Sequence, residues 1–304
     1  ANKNPILWNF DLSKYTKLGE FNLTEEQQNA QKFLCKNNVV ILNGAAGCVD
    51  CDTEFFNGEE WKRIADWTLE DKVLQYNQNG TAELVKPQRY IKIPCDQLWH
   101  FETKYGLNQT ICDDHNIIYW SKKGYQHNCK IKDIIYDQQH NNYGWQGYFK
   151  TVFNYGGKGI NLTDNEIRIM CAVICDGSFY YQAETHWNSY NTCRFHIKKD
   201  RKKDRLRYLF KEANLEYREV ESASKGYTDF YIEAPLRQKV FDKSWYECSN
   251  HQLQIICDEI LNWDGHYGKT EKGFIRKSFS TTIKETADFI QFAFSACGYR
   301  ASIC

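Results

Sequence analysis

The sequence predicts a multidomain chain: a short α/β segment, a mainly-β region, then an α+β region. Three observations predict it. A helix-start signal runs into a β-branched strand ending in glycine near the N-terminus. Short strand-turn-strand patterns follow. Two apolar helices then recur, each ending in Asp-Gly and each followed by a strand and another helix. We place the boundaries at 1–47, 48–150 and 151–304. The 304 residues suffice for roughly two or three domains with a sizeable core. Aromatic content of 15% and hydrophobic content of 42% mark globular material rather than a disordered chain. No apolar run approaches the about 20 residues that a membrane span needs. The N-terminus, ANKNPILWNFDLSKY, lacks a signal-peptide apolar core, so a cytoplasmic and not a secreted location is expected. It starts at Ala1 without an initiator methionine, which is read as a processed form or a fragment. The 13 cysteines of a chain this long are expected to be reduced thiols rather than a disulfide scaffold. A formal net charge of zero leaves nucleic-acid binding open, because local distribution decides it.

In FNLTEEQQNAQKFL, residues 21–34, Thr24 is a candidate N-cap. Glu25 and Glu26 lie in the first turn, Gln27 at the capping-box position, and Ala30, Phe33 and Leu34 at helical spacing. NVVILNG then reads as a buried strand. It enters Gly44-Ala45-Ala46-Gly47, which matches the first four residues of the phosphate loop G-x-x-x-x-G-K-S/T. The next residues are Cys48-Val49-Asp50-Cys51, so the second glycine, the lysine and the magnesium-binding hydroxyl are absent. By itself GAAG is better explained by a plain strand-turn. The order of LTEEQ, helix, strand and GAAG resembles the opening of phage-type superfamily-1 DNA helicases over residues 21–47. That resemblance implies an N-terminal helicase fragment carrying half a phosphate loop at Gly44 and Gly47.

Cys48-x-x-Cys51 is one spacing for a zinc or redox site. Zinc needs two further ligands at similar spacing, and the redox chemistry needs a helix N-terminus. No second such pair follows, and DTEFFNGEEWKRIADW reads as strands around an Asn-Gly turn. CVDCDTEFFNGEEWKRIADW resembles the N-terminal splicing block of inteins, in which a cysteine opens the insert and an Asp-Thr pair follows. EDKVLQYNQNGTAELV resembles the next intein element. TICDDHNIIYW resembles intein block B, whose signature is Thr-x-x-His; here Cys112 stands at the Thr position and His115 at the His. The three blocks arrive in order over residues 48–132. The resemblance implies a Hint-type splicing fold whose catalytic residues are Cys48, Thr53, Cys112 and His115.

In that chemistry the Cys48 thiol attacks the Gly47 carbonyl and turns the amide into a thioester. The leaving amine must be protonated, and His115 is the candidate donor because imidazole titrates near neutrality. Gly47 offers no side chain to hinder attack. Splicing of this kind uses no cofactor. Excision would join Gly47 to a Cys, Ser or Thr and restore a Gly-Lys-Ser/Thr loop, and only that spliced helicase would use ATP.

NLTDNEIRIMCAVICDGSFYY carries Thr163 as N-cap and Glu166 at the capping-box position, then an apolar helix ending in Asp176-Gly177. Alone, it is equally an ordinary buried helix. Residues 169–177 resemble the LAGLIDADG motif of homing endonucleases. SNHQLQIICDEILNWDGHYG repeats the design and ends in Asp264-Gly265. Phe210 and Tyr217 after the first motif are matched with Phe292 and Tyr299 after the second. A duplication of this kind implies a pseudo-twofold monomer in which the motif helices pack and bring Asp176 and Asp264 together. The resemblance implies an α+β LAGLIDADG endonuclease that binds double-stranded DNA, its target being the homing site in the helicase gene, with Mg2+ on Asp176 and Asp264. It also implies a lysine between the motifs. FDKSWYECSNHQ makes Lys243 the candidate, with a solvated surface lysine the equal alternative. The basic run Arg194, Lys198, Lys199, Arg201, Lys202, Lys203, Arg205 and Arg207 is the expected DNA-phosphate contact.

An intein also has a last strand pair, a penultimate His and a terminal Asn. The sequence ends at ASIC within the second repeat, so a C-terminal intein segment is the expected partner, in cis or in trans. The alternative functions are an ATP-dependent DNA helicase and a DNA-binding module with an inactive nuclease.

Overall fold

The computed structural model describes residues 17–18, 21–22 and 48–303, apart from 78, 89, 93, 96, 103–107, 141–146, 180–189, 223–225, 270–272 and 274. The expected helix at 24–34, the strand at 38–43 and the loop glycines Gly44 and Gly47 lie outside the described residues. The chain divides into two compact units, Ala1–Gly47 and Cys48–Cys304. In the first, β1 (Lys17–Leu18) pairs antiparallel with β2 (Phe21–Asn22).

The second unit begins with four antiparallel hairpins. These are β3 (Glu54–Phe56) with β4 (Trp61–Arg63), β5 (Val73–Tyr76) with β6 (Ala82–Val85), β7 (Trp99–Glu102) with β8 (Asn108–Ile111), and β9 (Asn116–Trp120) with β10 (Gln126–Lys130). Turn chemistry sets the first of them. The Asn57 side-chain oxygen accepts the backbone N–H groups of Glu59 and Glu60, both at 2.9 Å, and Gly58 takes a φ of +107° that side-chain-bearing residues rarely adopt. Helix α1 (Ile131–His140) follows β10 and was not anticipated. Its signal is present: Ile131, Ile134 and Ile135 stand at helical spacing, and the first two are buried against Ile111 and Ile117. These isoleucines make a small core on which Val49 packs.

The remainder combines helices with a four-stranded antiparallel sheet. Helix α2 (Asp164–Asp176) leads into β11 (Gly177–Phe179), β12 (Thr192–Ile197), α3 (Asp200–Glu212), β13 (Tyr217–Ser222) and β14 (Tyr227–Glu233), with strand order β11-β12-β14-β13. A 3-10 turn, Lys243–Glu247, precedes α4 (Asn250–Ile260), the hairpin β15 (Gly265–Lys269) and β16 (Ile275–Phe279), and α5 (Lys284–Ala296). Thr163 and Glu166 form a full capping box on α2, and Ser249 with Gln252 does the same for α4. Helices α2 and α4 pack together through buried faces that include Ile169, Met170, Val173, Leu253, Ile256 and Ile260. Each such side chain contributes about 1.5–3 kcal/mol by leaving water.

The two helix-strand repeats differ from the sequence pairing by two positions. Helices α3 and α5 are both 13 residues long. After α3, Asn214 takes a φ of +49° and the Leu215 N–H donates to the Phe210 carbonyl at 2.9 Å. After α5, Gly298 takes +84° and the Tyr299 N–H donates to the Phe294 carbonyl at 2.8 Å. These are the same C-terminal cap. Phe210 therefore corresponds to Phe294, and Leu215 to Tyr299. Phe292 turns instead toward the first hairpin, 4.8 Å from the Phe56 ring and 4.9 Å from the Tyr246 ring. Phe56 is 2% exposed, so β3 is part of the same main core as α2, α4 and α5. Among the described residues no helix is long and apolar enough to cross a membrane.

Candidate functional site

Two constellations hold the residues singled out above. The first surrounds Cys48. Val49 bridges Ile111 in antiparallel fashion, and Ile111 is wholly buried. The Cys112 N–H donates to the Cys48 carbonyl at 3.0 Å and the Asp50 N–H to the Thr110 carbonyl at 2.9 Å. The chain then turns through Asp113 and Asp114, closed by the His115 N–H on the Cys112 carbonyl at 3.0 Å. This turn presents two side chains to the Cys48 backbone. The Cys48 N–H donates to Cys112 Sγ at 3.0 Å, and His115 Nδ1 lies 3.3 Å from the Cys48 carbonyl oxygen.

His115 thus meets the carbonyl on the far side of Cys48, while Cys112 holds the nitrogen of the 47–48 peptide. Burial lowers the His115 pKa, opposed by the Cys48 carbonyl; burial raises that of the Cys48 thiol, as does the adjacent Cys112 thiol. The Thr53 hydroxyl donates to Asp50 Oδ1 at 2.6 Å and so braces the segment after Cys48. A cleft of about 680 Å³ opens beside it, lined by Asp50, Thr53, Glu54, Thr110, Lys284 and Asp288 among others. Cys51 lies exposed on a turn.

The second constellation lies at the ends of the paired helices. Helix α2 runs unbroken to Asp176, whereas α4 stops at Ile260. Tight turns carry its chain on to Asp264: Asn262 N–H to the Glu259 carbonyl and Trp263 N–H to the Ile260 carbonyl. Glycine permits the close approach on both sides. A Cβ on Gly177 would sit 2.7 Å from the Val173 carbonyl oxygen, and one on Gly265 would collide with the Leu261 carbonyl. Lys202, 8% exposed, donates to Asp176 Oδ2 at 2.5 Å and lies 3.4 Å from Asp264 Oδ1. Sequence reasoning missed Lys239, whose ammonium donates to the Val173 and Ile174 carbonyls at 2.6 and 2.7 Å. It adds a cation to the carbonyl end of α2, where the Val173 carbonyl also accepts the Gly177 N–H. Burial lowers its pKa, partly offset by nearby thiols and by Asp176 and Asp264.

Among the described residues no group of three or more His, Cys, Asp or Glu gathers for a metal. The donor set is two carboxylates already drawn to one ammonium. It fits Mg2+ only jointly with a phosphate, since Mg2+ is commonly held by one or two carboxylates plus substrate oxygens.

The other predicted residues are distributed differently. Lys243 lies exposed on the 3-10 turn, 3.5 Å from Glu59 on the first hairpin. Most of the basic run is already paired: Arg194 and His196 on Asp229, Lys203 on Asp200, Arg207 on Glu219 and Asp204. Arg201 donates to the Asn262 carbonyl at 2.5 Å, and Arg205 grips Glu259, which is 1% exposed. Lys198 lies 5.7 Å over the Tyr227 ring, and Lys199 stands at the N-cap position of α3 with its side chain exposed and making no capping hydrogen bond. The run therefore splits: Lys202 and Arg205 point inward, and Lys198 and Lys199 keep an outward face. No family model matches this chain, and no curated protein matches it.

Proposed function

We propose that residues 48–304 belong to an intein carrying a LAGLIDADG-type homing endonuclease, inserted in the phosphate loop of a superfamily-1 helicase. The reading is supported above all by Asp176 and Asp264, which separate apolar helices of like design deliver to the same buried lysine. It predicts site-specific double-strand cleavage of DNA by a cytoplasmic monomer.

In that reaction Mg2+, when bound, supplies polarisation of the scissile phosphate and an activated water. Asp176 and Asp264 would hold that cation through their carboxylates, which by themselves repel a phosphate. Lys202 releases one carboxylate and places its ammonium toward the developing negative charge. In the splicing step the Cys48 thiol adds to the Gly47 carbonyl carbon, the C–N bond breaks, and a thioester remains. The thiol's proton is lost and the departing amine gains one. The Cys112 sulfur accepts the Cys48 N–H at 3.0 Å, and a turn of its own S–H would deliver the proton to that nitrogen as the C–N bond breaks, while His115 fixes the peptide through the Cys48 carbonyl.

The test is incubation of the chain with Mg2+ and DNA encoding the uninterrupted helicase loop. A double-strand cut that Asp176→Asn and Asp264→Asn each abolish is expected. Specific binding without any cut would favour the DNA-binding module, a reading that the closed Lys202 bridge also supports. For splicing, hydroxylamine should release a fragment ending at Gly47 when the C-terminal intein segment is supplied, and Cys48→Ala should prevent it.

A further inference from the structure

We propose that Cys48 and Cys112 form a reversible disulfide by exchange with a low-molecular-weight disulfide such as oxidised glutathione. The two residues face each other across the antiparallel bridge next to Val49 and Ile111. The Cys112 N–H donates to the Cys48 carbonyl at 3.0 Å, as in the hydrogen-bonded pairs of a ladder, whose Cα atoms lie about 5.5 Å apart. Disulfides span Cα separations of about 4.4–6.8 Å. The return bond is the telling one. An ordinary ladder would direct the Cys48 N–H to the Cys112 carbonyl; here it goes to Cys112 Sγ at 3.0 Å. That sulfur therefore already lies over the backbone of Cys48, within reach of a rotation about its Cα–Cβ bond.

No other described cysteine holds this position. Cys51, two residues beyond Val49, is exposed on the turn. Cys95 is exposed and donates to the Gln97 carbonyl at 2.9 Å. Both Cys48 and Cys112 are half-buried, open enough for a small disulfide to reach. The burial that raises the Cys48 pKa makes its thiolate scarce at neutral pH, so exchange is slow unless the reagent is abundant.

The exchange balances in two steps. One protein thiolate attacks a sulfur of the small disulfide, breaks its S–S bond and expels one small thiolate. The second protein thiolate attacks the resulting mixed disulfide, forms the Cys48–Cys112 bond and expels the other. Two protein S–H bonds are lost, both protons pass to the expelled thiolates, and the small disulfide is reduced to two thiols. The consequence rests on the function proposed above: with its sulfur in the cross-link, Cys48 has no thiol to add to Gly47. Threonine at position 112 would allow no such lock.

The full chain is equilibrated with glutathione mixtures of increasing oxidised fraction, quenched by alkylation, digested and examined by mass spectrometry. The expected result is a Cys48–Cys112 linked peptide that dithiothreitol removes, replaced in Cys112→Ser by a glutathione adduct on Cys48. Linkage of Cys48 to Cys51 or Cys95, or a lasting glutathione adduct on Cys48 in the unaltered chain, overturns the pairing. Hydroxylamine release at Gly47, with the C-terminal intein segment supplied, is then compared before and after oxidation. Release by the reduced chain alone supports the lock, and equal release by both forms overturns it. Absence of release from the reduced chain, with the linked peptide present, refutes the splicing assignment and leaves the disulfide standing.

Discussion

Asp176 and Asp264 are drawn to one ammonium, that of Lys202, at 2.5 and 3.4 Å. Lys202 comes from a third helix, so the contact locks α3 against the ends of the two motif helices. Replacing Lys202 with Met should leave two carboxylates facing each other and cost about 1–3 kcal/mol. Mg2+ should then stabilise the variant more than the parent, because the cation enters a vacated position. Denaturant midpoints with and without Mg2+ measure this; equal Mg2+ effects on both proteins refute it.

Arg205 answers to a different charge. Glu259 is 1% exposed, bonded to Arg205 and to the Trp263 indole N–H at 3.0 Å. Arg205→Ala should destabilise the fold by about 3–5 kcal/mol, since a buried carboxylate is left without its cation. Adding Glu259→Gln should recover part of the loss. A variant that melts like the parent but binds DNA less well would return Arg205 to a direct phosphate contact.

Gly177 and Gly265 are small for reasons of space rather than of φ. Gly177→Ala should cost about 1–3 kcal/mol, because its new methyl group must push aside the Val173 carbonyl and the Cys193 sulfur. On the proposed nuclease reading, displacing Asp176 should also lower DNA cleavage. An alanine variant of parental stability and activity would show that the helix ends are looser than their spacing implies.

His115 makes stability depend on pH. Burial lowers its folded-state pKa below the ordinary value of 6.5, so in the window between the two values the unfolded chain binds more protons. Its share of stability is full above pH 6.5 and is lost as pH falls toward the folded pKa. Chemical unfolding from pH 8 to 5 should show this slope, and His115→Gln should flatten it. An unchanged slope in that variant assigns the effect to another group.

Phe56 reaches across the unit. Its ring lies 4.7 Å from Tyr246 and 4.8 Å from Phe292. Phe56→Ala should cost about 3–5 kcal/mol and should speed hydrogen exchange in α5 as well as in its own hairpin. Loss of protection confined to residues 48–85 would contradict a shared core.

Local signals in the sequence were the ones that read true. Thr163 with Glu166 gave the start of α2, and Asn57-Gly58 gave the first hairpin, because caps and turns depend on a few adjacent residues. Helix α1 was legible in its isoleucine spacing but hidden among polar and aromatic neighbours. The role of Lys202 was not legible. Seven other basic residues surround it between 194 and 207, and only the fold distinguishes the one directed at Asp176 and Asp264. Lys239 was hidden for a related reason: its partners are backbone carbonyls, which have no signature in sequence. The pairing of Phe210 with Phe292 failed because aromatic residues recur every second position in FAF, and only the cap decides between Phe292 and Phe294.

The aromatic contact between Phe56 and the last helices also bears on how such a chain decays. On the proposed nuclease reading, a chain no longer selected for cutting can lose Asp264 and still leave Lys202 its closer partner, Asp176. It cannot shed α5, because Phe292 closes the core that Phe56 occupies. Erosion should therefore strike the two carboxylates first and spare the scaffold, leaving lineages that keep the whole fold after Asp176 and Asp264 have been replaced.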